Sequence, residues 1–152
     1  FEQKDFIFLI SLMIVDDTDN SEYFIYKYNI SNEDKKRIKF LSKACSKKLN
    51  KDAFKEKNLW KIFYLNGKDY LNDYINFRLF QNQKIDNKLI RLKEFFKNKE
   101  IPKLQVKAKT LIEKFNYKEG KELGNKLKEI EEFWIENSFE ISDEDLENIV
   151  KN

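Results

Sequence analysis

The chain has 152 residues, of which 38% are charged and 15% aromatic; it holds three glycines, one proline, one cysteine and no histidine, and its net charge is +3. That length suffices for one compact domain or two small helical units, and the aromatic content excludes a disordered composition. The missing histidine removes imidazole bases, histidine-dependent triads and the usual zinc sites, while the lone Cys45 excludes an internal disulfide and points to a reducing, cytoplasmic setting.

Reading from the start, FIFLISLMIV (Phe6 to Val15) is the longest apolar run. It is too short for a bilayer span of about 20 residues, and it lacks the basic flank and cleavage site of a signal peptide. Phe6, Leu9, Ile10 and Met13 follow helical spacing, so they are expected to form the buried face. Because the chain opens at Phe1 rather than Met, within an expected apolar helix, further sequence upstream is expected. Asp16, Asp17, Asp19 and Asn20 then break the pattern. They lack the glycine and terminal glutamate of a calcium loop, so they read as a polar turn. A short aromatic-rich helix follows over Ser21 to Tyr28.

Ser31 with Asp34 forms a capping-box pattern. The helix it opens is expected to bury Ile38, Leu41, Cys45 and Leu49, and its other face carries Lys36, Lys39, Lys43 and Lys47. The next helix holds Phe54, Leu59, Trp60, Ile62 and Phe63 and closes at Asn66-Gly67. Another carries Leu71, Tyr74, Ile75 and Phe77. A polar connector, Gln81 to Asn87, suggests a boundary between a helical body, residues 1–83, and a helical tail, residues 84–152.

In the tail, Leu89, Leu92 and Phe96 mark one helix, closed before Pro102. Ala108, Leu111, Ile112 and Phe115 mark a short one, and Leu123, Leu127, Ile130 and Trp134 a longer one. Ser142 with Asp145 opens a terminal acidic helix. No segment alternates with period two over a strand's length. The expected fold is all-α, a multi-helix array of seven to nine helices without a substantial sheet.

Charge is distributed in blocks. Residues 35–61 carry 11 basic and 2 acidic groups, and residues 84–128 carry 14 and 6; a neutral stretch separates them and acidic segments flank them. Two basic blocks suit a polyanion such as RNA. On charge alone, lysines that simply coat solvated helix faces, as in a helical scaffold or protein-interaction domain, are the better match. Lys118, Gly120, Lys121 and Gly124 stand where two helices meet. Unpaired N–H groups at the second helix's start, the glycine backbone and the added cations suit a nucleic-acid phosphate. The structural alternative makes Gly120 a turn residue and Gly124 an aid to close helix packing. Trp60 and Trp134 lie on apolar faces and are expected in the core; Glu129, Glu131, Glu132 and Glu136 read as a solvated face. No catalytic residue and no metal site is assigned.

Three ordered segments resemble the C-terminal helical region of bacterial CCA-adding tRNA nucleotidyltransferases and poly(A) polymerases. YNISNEDKKRIKFL (Tyr28 to Leu41) is similar to the family's R-L-x-L-S-N-x-E segment and the basic helix after it. LWKIFYLNGKDYLNDYINF (Leu59 to Phe77) is similar to L-R-x-x-Y-x-x-G and its following helix. Ile101 to Phe139 resembles P-x-F-P-x-x-G-x-D-L…G-x-x-P-G-P-x-x-G-x-x-L…W, with Gly120, Gly124 and Leu127 matching. The chain departs from that pattern at Gln105, Ala108, Thr110, Asn116 and Lys121. The resemblance implies a chain that grips tRNA through Lys36, Lys39, Lys43, Lys47, Lys107, Lys109, Lys118, Gly120, Lys121 and Gly124. It places Mg²⁺, CTP or ATP, and catalysis in an upstream head and neck of the same polypeptide. This sequence contains neither the family's G-[ST]-x(5–13)-D-x-D catalytic pattern nor its E-D-x-x-R neck pattern, so the chain alone is expected to be inactive.

Overall fold

The computed structural model describes residues 5–45, 51–82 and 84–151. Lys47 and Leu49 lie outside the described residues. Among those described there are nine α-helices, one single-turn 3₁₀ helix and no strand, so the chain is all-α. The helices are α1 (Phe6–Ile14), α2 (Asn20–Lys27), α3 (Asn32–Cys45), α4 (Glu56–Asn66), α5 (Lys68–Gln81), α6 (Asn87–Lys97), α7 (Ala108–Phe115), α8 (Lys121–Glu136) and α9 (Asp143–Lys151). They form two compact units, Phe1–Glu100 and Ile101–Asn152. The sequence reading set the division at 83/84, at the polar connector. In the structure α6 belongs with the first unit, because Leu89 and Phe96 pack into that unit's core.

The first unit is organised around α5, which buries Leu71, Tyr74, Ile75 and Phe77. Gly67 makes the α4–α5 corner: its φ of 90° is open to glycine, and its N–H donates to the Phe63 carbonyl at 3.0 Å. Trp60, Phe63 and Phe96 then join α4 to α6, with ring centroids 4.9–5.6 Å apart. Phe54, expected within the α4 helix, instead ends the 3₁₀ turn Lys51–Phe54, where its ring stacks on Tyr74 at 4.7 Å.

Helix α1 corrects a sequence expectation. Phe6 is 70% exposed and Met13 79%, whereas Phe8, Ser11 and Val15 are buried. The helix is apolar nearly all round, so its periodicity does not select a face. Ser11 is accepted inside because its hydroxyl donates to the Ile7 carbonyl at 2.8 Å, which satisfies its polar atom within the helix. At the helix start, Asp5 caps the Phe8 N–H at 3.0 Å.

The second unit has a smaller core of Leu111, Leu123, Ile130 and Leu146. Leu104 and Val106 pack onto it from the extended segment before α7. Turn and cap chemistry bounds α7 and α9. Asn116 adopts the left-handed conformation (φ 57°, ψ 27°), and the N–H groups of Asn116 and Tyr117 both reach the Leu111 carbonyl. Ser142 and Asp145 make the full reciprocal capping box: each backbone N–H donates to the other's side chain at 3.0 Å. At its far end α9 is tied to α8, because Lys126 Nζ donates to the Ile149 carbonyl at 2.9 Å.

Candidate nucleic-acid interface

Helix α3 sorts its residues by face. Ile38 and Leu41 have no exposed surface, while Lys36, Lys39 and Lys43 project outward at helical spacing. These three lysines line one shallow depression of ≈ 440 Å³, together with Phe40, Leu65, Asn66 and Tyr70. The capping pattern at the helix start is present: Ser31 Oγ accepts the Asp34 N–H at 3.1 Å and donates to its carboxylate at 2.7 Å. Asp34 and Glu33 thus hold the helix N-terminus, leaving the cations to the body of the helix.

Arg37 belongs to the same basic block but turns inward. Its guanidinium pairs with Asp73 of α5, Nη2 lying 2.6 Å from Oδ1 and Nε donating to Oδ2, and it also reaches the Asp5 carboxylate. The side chain of Asp73 is only 6% exposed. Burial pushes its carboxyl above the usual range, and Arg37 works against that shift. For Asp5 burial is outweighed: the Arg37 and Phe8 hydrogen bonds hold it below its usual value. Arg37 is in turn held above its ordinary value, first by the Asp73 hydrogen bond. This triad was missed in the sequence reading. The signal available was Asp73 itself, a carboxylate flanked by Leu71 and the Tyr74-Ile75-Phe77 face, which requires an internal cation once buried.

The triad floors a second hollow of ≈ 380 Å³, rimmed by Glu33, Asp34 and Asp69. Its charge repels phosphate. Among the described residues no group of three histidine, cysteine, aspartate or glutamate side chains could hold a metal. Nor does any buried side-chain polar atom there lack a hydrogen-bond partner. The Asp16 segment is the polar turn expected: its carboxylate accepts from the Thr18 hydroxyl at 2.6 Å and from Asn20 Nδ2 at 2.8 Å.

In the second unit, Lys118, Gly120, Lys121 and Gly124 are all exposed where α8 begins. No side chain caps that end of the helix. Gly120 is required by its backbone (φ 151°) and not by crowding, since a Cβ there would meet nothing within 4 Å. Gly124 is helical, and a Cβ there would also meet nothing within 4 Å. The close-packing explanation of Gly124 is therefore contradicted. Lys107 and Lys109 lie elsewhere, at the opposite end of α7 from the turn, about 10 Å along the axis. Lys109 also pairs with Glu113 at 3.6 Å. Trp134 is buried against Phe139, and Trp60 is half-buried in the aromatic cluster, so neither ring is offered to a base.

Two departures from the family pattern have physical explanations here. Asn116 stands where the pattern has glycine and keeps the left-handed turn, which asparagine tolerates. Lys121 stands where the pattern has proline, at the first position of α8, and adds a backbone N–H and a cation to the uncapped end.

No helix among the described residues is long and apolar enough to cross a membrane. Comparison with curated proteins and with solved structures returns no match. The family model for tRNA nucleotidyltransferase domain 2 matches residues 2–150. The chain therefore belongs to the tRNA nucleotidyltransferase domain 2 family, the helical C-terminal region that its three ordered landmarks implied.

Proposed function

We propose that this chain is the RNA-gripping region of a cytoplasmic tRNA nucleotidyltransferase of the CCA-adding or poly(A) polymerase type. Its lysines hold the tRNA backbone while a head outside this sequence, using Mg²⁺ and CTP or ATP, adds nucleotides. The observation that carries the reading is the sorting of α3, with Ile38 and Leu41 inside and Lys36, Lys39 and Lys43 around one depression. The uncapped start of α8 beside Lys118 and Lys121 is a second phosphate contact of the same kind.

Filter binding of the chain to tRNA across a salt series tests this. Each phosphate contact contributes about −0.7 to −0.9 to the slope of log affinity against log salt. Lys36→Ala with Lys39→Ala, and separately Lys118→Ala with Lys121→Ala, should weaken binding and flatten that slope. Absence of tRNA binding at low salt would sink the proposal. With labelled ATP and CTP the chain alone should incorporate nothing. A protein-contact role draws on one observation, the exposed apolar side chains Phe6, Met13 and Phe80; it becomes the better reading if tRNA fails to bind.

A further inference from the structure

The depression beside α3 is more than a row of cations. Phe40 and Tyr70 meet edge to face there, with centroids 5.0 Å apart. At its edge Leu65 is 65% exposed, beside Asn66 at the end of α4. A tether to duplex phosphates needs the lysines but has no use for an apolar floor, since duplex bases are stacked away from the protein. Aromatic and aliphatic surface next to three cations instead suits a group that joins a flat ring to an anion, which is an unpaired nucleotide. Asn66 brings an amide able both to donate and to accept at a base edge.

Two features favour a strand over a free mononucleotide. Lys36, Lys39 and Lys43 extend over about 10 Å of α3, more than a single phosphate occupies. Tyr70 also lines the acidic hollow of Asp69 and Asp73, so phosphates are attracted on one side of the ring and repelled on the other. A bound strand is thereby held with its backbone along α3.

We infer that this depression seats an unpaired nucleotide of a single-stranded RNA segment, with a base against Tyr70 and Leu65 and the flanking phosphates on Lys36, Lys39 and Lys43. The inference rests on the RNA-gripping reading above. Fluorescence anisotropy of the whole chain with a single-stranded oligoribonucleotide, a blunt RNA duplex of equal length and free nucleoside monophosphates as competitors tests it. The single strand should bind at least about fivefold tighter than the duplex. Tyr70→Leu should weaken the single strand by about fivefold or more and leave the duplex unchanged. Leu65→Ser, at an exposed position that does not threaten folding, should give a smaller loss with the same selectivity. Unchanged single-strand affinity in both variants, with tRNA binding intact, would overturn the nucleotide seat and leave the RNA-gripping reading standing. Competition by free nucleoside monophosphates as strong as by the oligonucleotide would overturn the strand assignment. Loss of all RNA binding in the unaltered chain would overturn both readings.

Discussion

Arg37 in the first unit and Lys126 in the second each leave a basic block to serve as an internal fastener, but the two do so differently. In the first unit Arg37 leaves the lysine face of α3 and clamps a buried carboxylate of α5 to the cap of α1. In the second, Lys126 leaves the α8 surface and donates to a backbone carbonyl at the end of α9, with Glu129 2.8 Å away. Arg37 meets carboxylates, one of them the buried Asp73, whereas Lys126 meets a helix-end carbonyl, as Lys68 does with the Lys97 carbonyl in the first unit. The lesson for function is that net charge overstates the cations that stand on the surface. Arg37 and Lys126 are held by partners inside the fold, whereas Lys36, Lys39 and Lys43 keep exposed positions on α3.

Four measurements sharpen or break this contrast. Arg37→Ala leaves Asp73 buried without its partner and should cost the first unit about 3–5 kcal/mol in chemical denaturation. A loss below 1 kcal/mol would show the triad to be dispensable. Gly120→Ala places a side chain at φ 151° and should cost the second unit about 1–3 kcal/mol. Lys126→Met removes a helix-end cation and should cost only about 1 kcal/mol; a loss as large as that of Arg37→Ala would erase the distinction between the two fasteners. Gly124→Ala, in open helical space, should raise stability by about 0.5–1 kcal/mol. If Gly124 lets a phosphate approach the backbone, the same change weakens tRNA binding, so stability and affinity move in opposite directions.

Acid titration separates the units further. Asp145 is held below its usual value by the Ser142 hydroxyl and backbone N–H, and Glu147 by Lys151. A carboxyl with a depressed folded pKa stabilises above its unfolded value, about 4, and loses that contribution as pH falls through the folded one. In the first unit Asp5 and Asp16 act in the same direction, but Asp73, with its raised value, acts in the opposite one. Amide exchange between pH 5 and 3 should show the second unit loosening monotonically, and Asp145→Asn should reduce that loss. An unchanged acid dependence in Asp145→Asn would assign it to other groups.

Much of this molecule is readable along the chain because helices are local. Ser31 with Asp34, Ser142 with Asp145, the Asn66-Gly67 stop and the spacing of Leu123, Leu127, Ile130 and Trp134 depend on neighbours within a turn or two, and all mark real helix features. The lysine face of α3 is equally legible, since its spacing of three and four is set by helix geometry. The face that α1 buries, the inclusion of α6 in the first unit and the inward turn of Arg37 are not local properties. They depend on which apolar surfaces meet, and on the carboxylate that α5 carries inward at Asp73. By itself, then, the sequence determined an all-α chain with two basic blocks and the landmarks of its family. Only tertiary structure decided which cations stay outside and that three of them share a depression with Tyr70 and Leu65. The physical reason is that a charge is placed by the cost of burying it unpaired, and its partner can lie anywhere in the chain.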